Sequence, residues 1–385
     1  MKYYIIAGEA SGDLHGANLI RALRARDKEA EIRYWGGDRM KEAAGECGTM
    51  VRHIRELAIM GFVEVVSHLG TVMGNISFCK KDIVAFNPDV VVFIDYPGFN
   101  LKIAKYTHEK GFRNVYYISP QIWAWKKGRL RPMRRDLDRL CYILPTEQMF
   151  YKPGVMPQAV YVGHPLLDEV ERYRNGEGRT GNGGHRREDR IAILPGSRKM
   201  ELGRMLPVML RVAARHPEYH FVIAGMSLIG EEFYRKYIPK DASNIEIIFD
   251  RTYDILASSH AALVCSGTAT LETSLFKVPQ VVCYQCNKLS AAIARLLIGD
   301  SIKYISLVNI IADSPVVCEL IQSDFNVDRL DMEFQKIVGD SRQQILEGYA
   351  RVDCLLGGKG ASDRTAENII GIVKGSSGAK GGQLA

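Results

Sequence analysis

The chain holds 385 residues, 46% hydrophobic and 25% charged, with a formal net charge of +7. That length exceeds one ordinary core and suits two domains of α/β size; the composition is that of a folded globular protein and excludes a disordered or collagenous chain. No apolar run reaches the roughly 18–20 residues of a membrane-spanning helix, and Met1 leads straight into a strand-like run without a secretory leader, so a cytoplasmic protein is expected, attached to a membrane at most by its surface.

The first strand-like run, "KYYIIA", ends in "GEASGD" (8–13), where a nucleotide-binding fold would place a phosphate loop. Its glycines are spaced G-x-x-x-G, it lacks a Walker lysine, and Glu9 and Asp13 would repel phosphate. Glu9, Ser11 and Asp13 instead suit hydroxyls of a sugar; the plainer reading is a helix cap from Ser11 or Asp13. After "EIRYWG" comes an apolar stretch broken by glycines (57–78). Its Met60, Phe62, Val65, Val66, Leu69, Val72 and Met73 read either as a buried helix or as a surface that receives hydrocarbon.

"VVVFIDYPGFN" (90–100) carries Asp95 at the end of a wholly apolar strand, placed to take a proton from a bound hydroxyl, with a helix cap as the alternative. "NVYYIS", "RLCYIL" and "AVYVG" continue the strand pattern, and His15 and His164 read as structural hydrogen bonders. Between these strands, residues 126–135 hold Lys126, Lys127, Arg129, Arg131, Arg134 and Arg135. Such a run is most often a solvated face. Nucleic acid is disfavoured because no aromatic platform interleaves it, which leaves an anionic lipid surface as the functional option. Asp136 and Asp138 ("DLD") pair with neighbouring arginines more readily than with a metal, and no metal site is assigned.

A glycine-rich passage at 175–189 interrupts the pattern, which restarts with "RIAILPGS", "HFVIAG", "IEIIF", "AALVCSG" and "QVVCY". Apolar strands alternating with helices predict two doubly wound parallel sheets, with ligands at the carboxyl ends of the strands in the cleft between the domains. The expected divisions are 1–170, a linker at 171–189, 190–345, C-terminal helices at 346–374 that pack back towards the first domain, and a disordered tail at 375–385. In "LPGSRK", Ser197 is expected to cap a helix and Arg198 to offer its planar fork to a diphosphate. In "SGTATLE", Ser266, Gly267 and Ala269 let the backbone approach a ligand, Thr268 and Thr270 add hydroxyls, and Glu272 suits a ribose. The eight cysteines form no framework, and "CYQC" (283–286) reads as buried thiols.

Two such domains with a donor diphosphate held in the second describe a GT-B-type glycosyltransferase. "GEASGDLHG", "LAIMGFVEV", "PDVVVFIDYPGFN", "YISPQIWAW", "VGHPL", "LPGSR", "SGTATLE" and "LVNIIA", in this order from residue 3 to about 370, resemble the lipid-A-disaccharide synthase family. The resemblance implies that UDP-2,3-diacylglucosamine and 2,3-diacylglucosamine 1-phosphate (lipid X) condense to a β-1,6-linked disaccharide 1-phosphate and UDP, at the cytoplasmic face of a Gram-negative inner membrane. It implies no metal or organic cofactor and admits a homodimer. It makes Asp95 the base and Arg198 the diphosphate ligand, puts Glu9 and Ser11 in the sugar site and Thr268 and Glu272 at phosphate and ribose, and turns Asn309 towards the same cleft. Many relatives read PDFN where this chain has Gly98, so a second acid is missing here. The rival readings are a UDP-sugar 2-epimerase-like GT-B enzyme and a non-catalytic nucleotide-sugar or lipid-binding protein.

Overall fold

The computed structural model describes residues 1–57, 69–120, 127–177, 186–286 and 303–377. Met60, Phe62, Val65, Val66 and Lys126, and the side chains of Leu69 and Lys127, lie outside what is described, as do 178–185 of the glycine-rich passage and the tail from 378. The chain divides into two compact units, Met1–Asp168 with the segment from Gly358 onward, and Glu169–Gly357.

In the first unit, seven parallel strands are described: β1 (Lys2–Ala7), β2 (Glu31–Gly36), β3 (Gly48–His53), β4 (Val90–Ile94), β5 (Asn114–Tyr117), β6 (Arg139–Tyr142) and β7 (Ala159–Tyr161). Their order is β3-β2-β1-β4-β5-β6-β7. All five side chains of β4 are buried, as a strand covered by helices on both faces requires. Each such aliphatic or aromatic side chain contributes about 1.5–3 kcal/mol of burial. The second unit repeats the plan with β8 (Arg187–Leu194), β9 (His220–Gly225), β10 (Ile245–Phe249), β11 (Ser259–Cys265), β12 (Gln280–Tyr284) and β13 (Cys318–Ile321), in the order β10-β9-β8-β11-β12-β13. The strands that the sequence pattern does not reveal, β3 ("GTMVRH") and β13 ("CELI"), lie at sheet edges, are mostly half-buried and carry charged residues that break the apolar run.

Both sheets have a switch point, where successive connections leave in opposite directions. It falls between β1 and β4 in the first unit, with Ala7 beside Ile94, and between β8 and β11 in the second, with Leu194 beside Val264. In each unit the two loops that follow these strands diverge and leave a crevice at the carboxyl edge of that unit's own sheet. They are "GEASGD", "DYPGFN", "PGSRK" and "SGTATLE".

The C-terminal helix Ala361–Ser377 belongs to the first unit. Asp168 caps it from outside, accepting from the Gly360 and Ser362 amides at 2.5 and 3.2 Å. Arg364 donates to the Val162 carbonyl at 2.8 Å, and Arg26 pairs with Asp363 and Glu367. Helix Arg342–Leu356, expected to accompany it, instead stays with the second unit. Its buried Tyr349 hydroxyl donates to the Val278 carbonyl at 3.0 Å and accepts from Gln280 at 3.1 Å. The helical pattern also runs to Ser377, three residues beyond Lys374. No helix among the described residues is long and apolar enough to cross a membrane.

Candidate active site

In the first unit the site is built around the last turn of β4. Asp95 and Tyr96 both adopt left-handed backbone, with φ of 45° and 48°, a conformation costing on the order of 1–3 kcal/mol per non-glycine residue. Three neighbours hold it. The Asp95 amide donates to the Tyr117 carbonyl at 3.1 Å. The Asp95 carbonyl accepts from the buried Asn100 side chain at 2.7 Å and from the Tyr116 hydroxyl at 2.5 Å. Gly8 is needed on the other side, because a Cβ there would come within 2.4 Å of the Tyr96 ring. The carboxylate is thereby lifted out of the sheet towards the loop that carries Glu9.

The Asp95 carboxyl is pushed up to about 6, first by burial and then by the negative charge of Glu9, against the Tyr96 amide that favours the ionised form. No side chain among the described residues hydrogen-bonds it. A carboxyl whose proton affinity is raised in this way is a candidate general base. Glu9 is exposed at the N-cap of helix Ala10–Arg26, and Ser11 is half-buried in its first turn.

Asp13 goes elsewhere. Its Oδ1 accepts from the Gly37 and Met40 amides at 2.6 and 3.0 Å, and its Oδ2 from Arg39 at 3.1 Å. It therefore caps the helix Asp38–Ala44 from across the sheet instead of capping its own helix or meeting sugar hydroxyls. His164 is buried, accepts from the Leu166 amide at 3.2 Å, and is pulled down to about 3 by burial and by His15. It stays neutral, as a structural group does. Asp138 accepts from Arg113 and from the Asn114 amide, both at 2.8 Å, and Asp136 from Arg135 at 2.6 Å, so "DLD" is tied up in the protein.

In the second unit Gly196 turns the chain after β8 with φ of 110°. A Cβ there would lie 2.9 Å from a Glu201 carboxylate oxygen and 3.4 Å from Cys265 Sγ, the latter at the end of β11. The turn thus abuts the second loop. Arg198, not Ser197, is the N-cap of helix Lys199–Ala213, with extended backbone and no side-chain cap. Ser197 lies one residue outside and exposed. The Arg198 side chain is 68% exposed and reaches Glu201 only at 3.3 Å, so its guanidinium is free to turn to an anion at this helix start.

Across the switch point, Gly267 opens helix Thr268–Leu275. Thr268 is exposed and Ala269 half-buried beside it. Thr270 is inward, with its hydroxyl donating to the Gly267 carbonyl at 2.8 Å and accepting from the Leu307 amide at 3.3 Å. Glu272 accepts from the Tyr253 hydroxyl at 2.9 Å. Ser266 donates to the Ile305 carbonyl at 3.1 Å.

Asn309 is buried, with its amide donating to the Val317 carbonyl and to Glu319, both at 2.9 Å. Its oxygen accepts from the Val316 and Val317 amides at 2.8 and 3.0 Å. All its hydrogen-bonding positions are taken by protein, so it props the segment and offers nothing open to a ligand. Glu319 in turn receives the Ile305 and Ser306 amides at 2.9 Å each. Glu319 and Asn100 were not singled out from the sequence. Each is an ordinary polar residue whose role arises only from backbone groups brought to it by distant strands.

A family model described as lipid-A-disaccharide synthetase matches residues 3–369. The chain belongs to the lipid-A-disaccharide synthetase family. The lipid-A-disaccharide synthase of Syntrophus aciditrophicus (strain SB) is 39% identical over 380 residues, covering 96% of this chain and 97% of that protein. Among solved structures, a UDP-GlcNAc 2-epimerase from Neisseria meningitidis bound to UDP-GlcNAc is similar with a TM-score of 0.63 at 12% identity, covering 96% of this chain and 100% of that one. The glycotransferase of kitacinnamycin is similar with a TM-score of 0.61 at 16% identity, covering 96% and 98%. These distant likenesses establish the GT-B type of two Rossmann-like domains, one fold shared by transferases and epimerases.

Gly98, where the resemblance to the family implies an acid in many relatives, is exposed in the first turn of helix Pro97–Glu109. A Cβ there would meet nothing within 4 Å. The fold therefore has room for the second carboxylate, and its absence is a property of this sequence and not of the backbone.

Of the residues expected to meet lipid or membrane, Met73 is 60% exposed, and Val72 is half-buried against the core of the first unit. On helix Leu130–Asp136, Arg131, Arg134 and Arg135 are exposed and Arg129 just before it is half-buried. Arg135 pairs with Asp136; the other three have no ion-pair partner among the described residues.

Proposed function

We propose that the protein condenses UDP-2,3-diacylglucosamine with 2,3-diacylglucosamine 1-phosphate by a single inverting displacement in which Asp95 is the base. The observation that carries this reading is the Asp95 carboxyl. It stands at the sheet's switch point on a main chain held by Tyr117, Asn100 and Tyr116, is raised to about 6, and has no side-chain partner among the described residues. Asp95 takes the proton of the acceptor's 6-hydroxyl as that oxygen forms its bond to the anomeric carbon. The bond from that carbon to the diphosphate breaks, and its electron pair leaves with UDP. Arg198 neutralises the charge growing on the diphosphate, aided by the amides that start helices Lys199–Ala213 and Thr268–Leu275. Glu9 and Ser11 orient sugar hydroxyls, Thr268 serves phosphate and Glu272 the ribose, while Ser266 and Asn309 act indirectly by fixing the segment around Ile305 and Ser306.

The test is product mass after incubating the purified protein with both glucosamine lipids. The expected result is UDP and a disaccharide phosphate in equal amounts. An epimerised donor with no disaccharide would favour the epimerase reading, and unchanged substrates the binding-protein reading.

The protein also works at a membrane surface in this reading. Exposed Met73 gives hydrocarbon contact, and the exposed Arg131 and Arg134 meet anionic headgroups, each contributing about 1 kcal/mol near such a surface. Replacing both arginines by Glu is expected to lower partition onto vesicles of mixed neutral and anionic lipid about tenfold or more at low salt. A sedimentation assay giving the same bound fraction for both proteins would return this run to a solvated face.

A further inference from the structure

The acidic character of the first unit's site poses an electrostatic problem. Glu9 and Asp95 stand together there, yet the acceptor brings a phosphate monoester of its own. A dianion approaching two carboxylates in a partly desolvated crevice is repelled unless a cation stands on that side.

Arg129 is placed to be that cation. It closes the turn Lys127–Arg129 ahead of helix Leu130–Asp136. Because β5 and β6 are parallel, that helix runs back against the strands and begins at their carboxyl edge, the edge where β4 ends in Asp95. It packs on helix Pro97–Glu109, which starts just after Asp95, and Met133 joins Phe99, Ile103 and Tyr116 in one apolar cluster. The charge of Arg129 is felt at the Tyr116 hydroxyl, the group that donates to the Asp95 carbonyl.

Arg129 also differs from its neighbours in the basic run. Arg131 and Arg134 are exposed, as a membrane-facing cation should be, whereas Arg129 is half-buried. No hydrogen-bond or ion-pair partner for it exists among the described residues. A half-buried guanidinium without a partner among the described residues gains from an incoming oxyanion, which its planar fork binds with two parallel bonds.

We propose that Arg129 binds the phosphate of the acceptor sugar and thereby sets the acceptor's orientation at Asp95. This rests on the functional reading above and assigns Arg129 to the substrate instead of the lipid surface. The experiment compares the unaltered protein, Arg129→Ala and Arg129→Lys on two acceptors in neutral detergent micelles: 2,3-diacylglucosamine 1-phosphate, and the same lipid without its phosphate. The expected loss in kcat/KM for Arg129→Ala is roughly 10- to 100-fold on the phosphorylated acceptor, with Lys recovering part of it. On the acceptor lacking phosphate, the same substitution should cost less than about threefold. The KM for the UDP donor and the melting temperature should not move. An equal loss on both acceptors would make Arg129 merely structural, and no loss on either would return it to the surface run; both overturn the proposal. Turnover by the unaltered protein tests the functional reading separately, since that activity can stand while either result removes Arg129 from the acceptor site.

Discussion

Replacing Asp95 by Asn will make the protein more stable at neutral pH while removing most of its turnover. The sign follows from the carboxyl's shift from 3.8 to about 6. The folded state disfavours the ionised form, so Asp95 lowers stability progressively as pH rises from about 4 to 6, and the full penalty is present above 6. Asn is neutral at every pH and adopts left-handed backbone readily, so the fold keeps its turn and sheds the charge. After discounting for partial solvent access, a gain of roughly 1–2 kcal/mol is expected at pH 8, vanishing near pH 4. Chemical denaturation at the two pH values measures it.

Turnover should fall about 10²- to 10⁴-fold, the range for loss of a general base. In the unaltered protein, kcat/KM should drop below about pH 6 as Asp95 takes up its proton, and that acidic limb should disappear from the residual activity of the variant. A variant that is both less stable and nearly fully active would contradict the assignment on both counts.

Replacing Arg198 by Ala should do the reverse, leaving stability alone and crippling the reaction. The side chain is 68% exposed and its contact with Glu201 is a 3.3 Å surface pair, of a kind that contributes about 0–1 kcal/mol. A change within about 0.5 kcal/mol in unfolding free energy is therefore expected. The loss in kcat should be about 10²- to 10³-fold, as for other single donors aimed at developing negative charge. UDP affinity should weaken as well, measured by calorimetry. Lys at this position keeps the charge but not the fork, and should recover only part of the rate. Undiminished kcat in Arg198→Ala would require another cation at the diphosphate.

The two substitutions separate the parts of the site because the residues are held so differently. Asp95 is locked by Asn100, Tyr116 and Tyr117 into a conformation that its own chemistry disfavours. Arg198 simply extends from a helix start into solvent. Folding stability is lowered by the first and is indifferent to the second.

Much of this was legible before the fold was known. The apolar runs that became β4 and β11 have no reading but buried parallel strands, and a charged or small residue directly after such a run is brought to the carboxyl edge by the geometry of the α/β unit itself. That is why Asp95, directly after β4, could be singled out by position, whereas Arg198 and Thr268, at the helix starts after β8 and β11, were marked by their side-chain chemistry. The misplaced residues share a cause. Asp13 and Asn309 are polar side chains beside ligand-like motifs, and each looked available. Whether it is available depends on amides from Gly37 to Met40, and from Val316 to Val317, that are remote in the chain or reoriented by turns.

The sequence by itself determined the two doubly wound units, the family, and the placement of the acidic loop 8–13 and the turns 195–198 and 266–268 after their strands. These rest on local periodicity and on motifs whose residues are close in the chain. Only the tertiary structure decided strand order, and with it the switch points that bring Glu9 beside Asp95 and the Gly196 turn beside Cys265. It also decided which acids are free, because hydrogen-bond saturation and the burial that lifts a carboxyl's proton affinity are sums over neighbours from many segments. Glu9 and Asp13, four residues apart, show the difference: one is exposed with its charge acting on Asp95, and the other is spent holding the fold.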